Sequence, residues 1–194
     1  MLREINDKLI LTDCDGVLLD WEYHFYKWLK ETEGYERLGP EYNIAKAIGV
    51  AQKTGARYVN LFNRSEEMKK LSPLRDAIKY VKKLHEDHGY VFRVVSSLSN
   101  DYYAQHLRTK NLREMFGDSV FEKYIYLDTG ADKDEALEPY RDSGYLWVED
   151  KIENADLGLE LGLNSVLIQH EHNKNYRGNA IKVANWREIY ELIL

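Results

Sequence analysis

The stretch Lys8 to Asp20, KLILTDCDGVLLD, constrains the fold more than any other part of this chain. The apolar run Leu9-Ile10-Leu11 is followed by two carboxylates one residue apart, Asp13 and Asp15, and then by Gly16. A short apolar run bounded by a turn signal reads as a buried strand of a parallel sheet. In open α/β sheets ligands bind just beyond the carboxyl ends of the strands. The two acids are therefore expected at the lip of the sheet, where Gly16 lets the backbone leave sharply. Acids this close repel each other unless a cation or a shared proton intervenes. A hard divalent ion such as magnesium suits carboxylate and carbonyl oxygens. One acid is then free to attack an electrophile and the other to carry a proton. Asp-x-Asp-Gly also occurs in calcium loops and Asx turns. A calcium loop needs a bidentate Glu further on, whereas Val17-Leu18-Leu19 follows here, and apolar residues on both sides of the acids speak against a solvated turn.

Downstream, strand and helix signals alternate. Trp21, Phe25, Trp28 and Leu29 form one helical stripe that runs toward Gly34. Residues 35–71 are less regular: Pro40 opens a short helix through Ile48, Gly49 and Gly55 punctuate, and Asn63 to Lys70 reads as a charged helix. Ser72-Pro73 has the form of an N-cap and first helical residue, ahead of the stripe Leu74, Ala77, Ile78, Val81, Leu84. Strands are expected at Tyr90–Val95, Tyr124–Leu127, Tyr145–Val148 and Ser165–Ile168, with Ile181–Val183 as a short edge piece. Helices are expected from Asp101 to about Lys110, over Ala155–Leu161, and from Trp186 to Leu194 with Asn185 as cap, and a helical turn over Asp132–Tyr140. Such alternation means right-handed crossovers and a mainly parallel sheet. The expected fold is a three-layer α/β, Rossmann-like domain with a five-stranded sheet. Residues 1–20 and 73–194 form its core, and 21–72 form a small helical insertion covering the lip of the sheet.

With 194 residues, the chain is long enough for one domain with a substantial core. Its net charge of −6, without a long basic block, argues against stable nucleic-acid binding through a charge footprint. The single cysteine, Cys14, excludes an intrachain disulfide and fits a reducing compartment. Between two carboxylates it reads as a buried filler rather than a reactive thiol. No apolar run reaches the ~20 residues of a membrane span, and MLREIND lacks the apolar segment of a leader. The expectation is a cytoplasmic protein with no membrane partner.

The polar residues at expected strand ends form a set. Asp13 and Asp15 follow the first strand, Ser96 and Ser97 the second, and Glu149 and Asp150 the fourth, with Asn154 one helical turn later and Lys133 ahead of the fourth strand. On these residues the chain resembles the haloacid dehalogenase superfamily, in its phosphatase branch. Asp13-Cys14-Asp15-Gly16-Val17 is similar to the first family motif, Val94-Val95-Ser96 to the second, Lys133 to the third, and VEDKIEN (Val148 to Asn154) to the fourth. Lys123 and Lys151 lie near enough to compete for the role of Lys133. The second motif more often carries Thr, and Glu149-Asp150 stands where many members have Asp-Asp or Gly-Asp. The resemblance implies a strand order of 3-2-1-4-5.

It also implies a mechanism. Asp13 would take up a phosphoryl group, and Asp15 would protonate the leaving alcohol and then serve as base. Mg2+ would be held by Asp13, the Asp15 main-chain carbonyl and Asp150. Ser96, Ser97 and Lys133 would bind phosphate, with Glu149 and Asn154 in support. Asp15 favours phosphate-ester hydrolysis, since the dehalogenases of the superfamily lack that acid. Asp20-Trp21-Glu22, Leu71-Ser72-Pro73-Leu74, Asp132-Lys133-Asp134 and the closing Trp186 helix resemble 5'(3')-deoxyribonucleotidases. The substrate so implied is a small phosphorylated metabolite, first a nucleoside monophosphate. The alternatives are a sugar phosphate or phosphoglycolate-type metabolite, a polynucleotide end, or a non-catalytic binding module on this scaffold. Trp21, Phe25 or Tyr58 would face a base, unless Trp21, Phe25 and Trp28 are simply core packing. His170 and His172 lack the further N or S ligands zinc wants and are expected on a surface or substrate-side loop.

Overall fold

Residues 8–194 are described by a computed structural model; the MLREIND segment used above lies outside the described residues. Strand β1 (Leu9–Thr12) pairs in parallel with β2 (Val91–Ser96) on one side and β4 (Leu146–Glu149) on the other. Strand β3 (Phe121–Tyr126) lies outside β2, and β5 (Asn164–Ile168) outside β4. The sheet has six strands rather than five, in the order β3-β2-β1-β4-β5-β6. The sixth, β6 (Ile181–Val183), is short because only Ile181, Lys182 and Val183 pair with Val166, Leu167 and Ile168, yet it extends the parallel ladder.

Thr12 stands opposite Val94 of β2 and Val148 of β4. That register brings the ends of three strands level, so Asp13, Ser96 and Glu149 emerge at one rim. Successive side chains of a strand point to opposite faces. Leu9, Leu11, Val95 and Trp147 accordingly pack on one side with Leu137, Tyr140, Leu161 and Leu163. Ile10, Phe92, Val94, Val148 and Val166 pack on the other with Val81, Leu84, Trp186 and Ile189. Burial on both faces is what turns these strands into continuous apolar runs.

Helix α1 (Trp21–Glu33) starts where the Asp20 carboxylate accepts from the Tyr23 N–H and ends at Gly34, whose φ of 75° gives a left-handed stop. Helices α2 (Ile44–Ala47) and α3 (Gln52–Asn63) follow. Gly55 does not punctuate the chain but sits inside α3, where it lets that helix touch α2: a Cβ there would lie 2.8 Å from the Ala45 backbone. The charged segment is a single 3-10 turn, Glu66–Lys69, because α3 stops at Asn63 and Ser65 caps a new start.

Ser72 and Pro73 do not begin a helix. Asp20 donates its N–H to the Ser72 carbonyl (2.9 Å), Leu74 donates to Leu18 (2.8 Å), and Pro73 bridges Leu19. These bonds clasp the two ends of the 21–72 segment together. Helix α4 (Ala77–Glu86) begins only after Arg75, whose φ of 45° is incompatible with a helix. Helices α5 (Tyr102–Phe116), α6 (Asp134–Leu137), α7 (Ile152–Glu160) and α8 (Trp186–Ile193) complete the layers. Among the described residues no helix is long and apolar enough to cross a membrane.

Candidate active site

Strand β1 ends by placing Asp13 against β4, its N–H donating to the Val148 carbonyl at 2.9 Å. The Asp13 carboxylate accepts from the Cys14 N–H through Oδ1 (2.7 Å), and its Oδ2 lies 3.0 Å from Lys133 Nζ. Lys133 is buried and donates also to Glu149 Oε1 at 2.7 Å. Lys123 is exposed and Lys151 half-buried, so the lysine in contact with Asp13 is Lys133.

Glu149 is saturated: Oε1 accepts from Lys133 and from Asn154 Nδ2, and Oε2 from the N–H groups of Asp150 and Lys151. Burial works to raise this carboxyl, but Lys133 and the donors around it outweigh that and hold it below the usual carboxylate range. Burial likewise works against a charged Lys133, yet Asp13 and Glu149 keep it protonated and raised. Asp13 goes the other way. Burial pushes its carboxyl up to about 7, with Glu149 and Asp15 adding to the rise and Lys133 opposing it.

Asp150 is buried, its carboxyl lies against that of Glu149, and among the described residues it has no lysine or arginine partner; His172 Nε2 stands off at 3.6 Å. Burial, then Glu149 and Asp13, push its carboxyl well up. Asp13, Glu149 and Asp150 can each offer an oxygen to one point. Gly16 makes room for this arrangement. Its φ is 72°, and a Cβ on it would lie 2.3 Å from Asp150 Oδ2.

Asp15 meets a residue no strand-end inspection would find. Its Oδ1 accepts from Arg108 Nη1 at 2.5 Å, and Arg108, on α5, is wholly buried. Nη1 also lies 3.0 Å from Cys14 Sγ, and Nη2 3.2 Å from Met68 Sδ. Cys14 is fully buried, and burial pushes its thiol up to about 12. A sequence signal for Arg108 does exist: it shares a buried helical face with Ala104, Leu107, Asn111 and Leu112. An arginine on such a stripe needs a buried acceptor.

Four carboxylates (Asp13, Asp15, Glu149, Asp150) thus face two fixed cations, Lys133 and Arg108. With all four ionised, two negative charges would be left over; without a cation, burial and mutual repulsion answer that excess by raising Asp13 and Asp150. An all-oxygen donor set with that deficit fits a hard divalent cation.

Asp13, Asp15, Lys133 and Asp150 form the floor of a cavity of about 480 Å³, with Glu149 and Arg108 buried behind them. Ser96 and Ser97 line it; the Ser97 hydroxyl donates its proton to the Ala131 carbonyl at 2.7 Å. Asn154 and Lys151 line it as well. The 21–72 segment supplies the opposite wall, with Trp21, Tyr42, Ile44, Gln52, Val59 and Asn60 among its residues. Trp21 Nε1 donates to Asn63 Oδ1, and Asn63 Nδ2 donates to the Leu98 carbonyl, tying that wall to the loop after β2. Of the three aromatics expected at a base, Trp21 lines the cavity, whereas Phe25 packs in the core between Trp21 and Phe62 and Tyr58 packs on Tyr35. His170 and His172 also line the cavity, stacked 5.4 Å apart, with His170 Nε2 2.7 Å from the Gly16 carbonyl and His172 Nε2 3.1 Å from that of Asp150. Burial pulls His170 down to about 4, so it is neutral near pH 7.

No protein-family model matches the chain. An uncharacterized 32.4 kDa protein of the Gp30-rIII intergenic region of Enterobacteria phage T4 is 24% identical over 93% of this chain and 67% of that one. Among solved structures, CbbY from Rhodobacter sphaeroides in complex with phosphate superposes with a TM-score of 0.64 at 15% identity, over 97% of this chain and 96% of that one. A haloacid dehalogenase-like family hydrolase from Streptococcus pneumoniae gives 0.65 at 12% identity, over 96% and 98%. The fold of this chain is the fold of the haloacid dehalogenase-like hydrolases.

Proposed function

We propose that this chain is a divalent-cation-dependent phosphomonoesterase that works through an aspartyl-phosphate on Asp13, with a nucleoside monophosphate as its substrate class. The observation that carries the reading is Asp13 in contact with Lys133 and converging with Glu149 and Asp150 on one point at the floor of a walled cavity. The phosphate in the CbbY structure adds support, since that protein shares the fold.

In this mechanism an Asp13 oxygen attacks phosphorus as the ester P–O bond breaks. The electron pair leaves with the ester oxygen, which takes the Asp15 proton. A water then gives its proton back to Asp15 as its oxygen attacks phosphorus, which releases inorganic phosphate and restores Asp13. Lys133 and the Ser96 hydroxyl hold phosphoryl oxygens, a fixed positive charge being most effective in a water-poor site. Ser97 and the Ala131 carbonyl shape the same loop. Glu149, saturated by its own donors, orients Lys133, and Asn154 orients Glu149. Asp13, the Asp15 main-chain carbonyl and Asp150 would hold Mg2+, whose charge offsets that of the phosphoryl oxygens.

The far wall bears on the leaving group. Both lysines that line the cavity, Lys133 and Lys151, belong to the floor, while the charged lining residues nearer the inserted segment are Asp20 and Glu22. Glu22 is paired to Arg37 at 2.9 Å. A second anionic group on the substrate finds no counter-charge there, which disfavours phosphoglycolate-type substrates, bisphosphates and polynucleotide ends. A neutral ribose and base would meet Trp21, Val59 and the amides of Gln52 and Asn60 instead. A reducing, cytoplasmic setting suits the buried free thiol of Cys14.

The deciding experiment is phosphate release from a panel of nucleoside monophosphates, neutral sugar monophosphates and phosphoglycolate, with and without Mg2+. Preference for the nucleotides supports the reading. Preference for sugar phosphates moves it to the alternative class, and no release from any, with Asp13→Asn indistinguishable from wild type, leaves a binding module.

A further inference from the structure

Arg108 is an expensive way to fill a core position. Its guanidinium is wholly buried, one carboxylate is its counter-charge, its other partners are the sulfurs of Cys14 and Met68, and its Nε is buried with no hydrogen-bond partner. Removing such a group from water carries a large desolvation cost that sulfur contacts repay poorly. An apolar side chain of similar length would pack the same space, so the reason for a guanidinium there lies in what it does to Asp15.

Asp15 lines the cavity, and its side chain keeps 24% of its surface exposed while that of Arg108 keeps none. The arginine therefore reaches Oδ1 from the protein side. Oδ2 receives no hydrogen bond from a described residue. Met68 and Asn111 extend the contact. Met68 belongs to the 3-10 turn at the end of the inserted segment, and Asn111, one turn beyond Arg108 on α5, donates to the carbonyls of Lys69 and Leu71. The guanidinium is thereby fixed by both the core helix and the inserted segment.

We propose that Arg108 is a positioning residue for proton transfer: by holding Oδ1 of Asp15 from beneath, it leaves Oδ2 as the oxygen that delivers the proton to the departing alkoxide. The proposal rests on the phosphomonoesterase reading above. The step itself is unchanged: the ester P–O bond breaks, its electron pair goes to the leaving oxygen, and the proton moves from Asp15 to that oxygen. Arg108 does not line the cavity and acts through Asp15 alone. A carboxylate free to rotate by an ångström loses about a hundredfold in such a transfer.

The test compares two esters of similar shape in the Mg2+-loaded enzyme. 4-Nitrophenyl phosphate releases a stable phenolate and needs no proton; 4-nitrobenzyl phosphate releases an alkoxide and does. kcat/KM reports the first phosphoryl transfer alone, so the later hydrolysis does not blur the comparison. In Arg108→Met, kcat/KM for the benzyl ester is expected to fall about a hundredfold and for the aryl ester less than tenfold. Arg108→Lys should restore part of the benzyl activity, and it serves as the test should Arg108→Met not fold. In an Asp15→Asn background the Arg108 substitutions should add little further skew. Parallel losses on both esters, or an undiminished skew in the Asp15→Asn background, overturn the proposal and leave the phosphatase reading standing. A wild type inert toward both esters overturns the phosphatase reading and the proposal with it.

Discussion

The ammonium of Lys133 lies 3.0 Å from Oδ2 of Asp13, and bulk water reaches little of either group. With Glu149 also in contact, at 2.7 Å, the lysine is shared between Asp13, the proposed nucleophile, and an acid locked in place. The two acids differ in their surroundings: four donors saturate Glu149, whereas Asp13 keeps acceptor capacity facing the cavity.

Lys133→Met should cost both stability and activity. It leaves Glu149 and Asp13 without their cation in a buried site, where breaking one partner of such a pair costs about 3–5 kcal/mol. Urea denaturation of the metal-free protein reads that loss, and kcat on the preferred ester should drop by about a hundredfold or more.

Stabilisation by magnesium should grow with pH. Asp13 is pushed up to about 7 and Asp150 is pushed up too, above their unfolded values. Without a cation the native state keeps protons that the unfolded chain releases near pH 4, so the contribution of Asp13 to stability is present at low pH and is lost as pH rises through about 7, and that of Asp150 is lost in the same direction. A cation must displace those protons below pH 7 and need not above it. The thermal-melt shift produced by Mg2+ should therefore be larger at pH 8 than at pH 5.5. Equal shifts at both would mean that neither acid meets the ion.

Gly16→Ala should damage the cation site more than the fold. The new methyl would fall 2.3 Å from Asp150 Oδ2, at a φ of 72° that costs a non-glycine residue about 1 kcal/mol or more. Asp150 must turn away, and calorimetric titration should show Mg2+ affinity weakened about 10–100-fold, with a melting temperature only modestly lower.

Gly55→Ala should reverse the usual helix rule. Alanine favours an exposed helix interior by about 1 kcal/mol over glycine, but here its methyl would press on Ala45 at 2.7 Å. Overpacking of this kind costs about 1–3 kcal/mol. Because Ala45, Gly55 and Ala56 line the cavity, KM for a nucleoside monophosphate, the proposed substrate class, should rise with little change in kcat for a small aryl ester.

The acids were legible in the sequence because they stand where periodicity breaks: Asp13 directly follows β1, Asp150 directly follows β4, and Lys133 opens α6. Strand ends can be read from apolar runs, and the parallel order follows from alternation. The 21–72 segment was harder. Its helices are short, its glycines serve packing as well as stopping, and the Ser72-Pro73 pair that reads as a helix start is instead the return of a clasp. The contact of Arg108 with the first loop is hidden in the sequence for a different reason. Residues 94 apart in the chain, Cys14 and Arg108, meet only once the helix after β2 lies beneath the first loop, and no local pattern encodes that meeting.

The clasp at Asp20–Ser72 and Leu18–Leu74 has an evolutionary consequence. The chain leaves the sheet and comes back through neighbouring peptide groups, so whatever is spliced between them owes the cavity floor little more than two matched ends and a sheltering underside. Exchange of the segment at those two points would give the cavity a different roof while Asp13, Asp15 and Asp150 stay where they are.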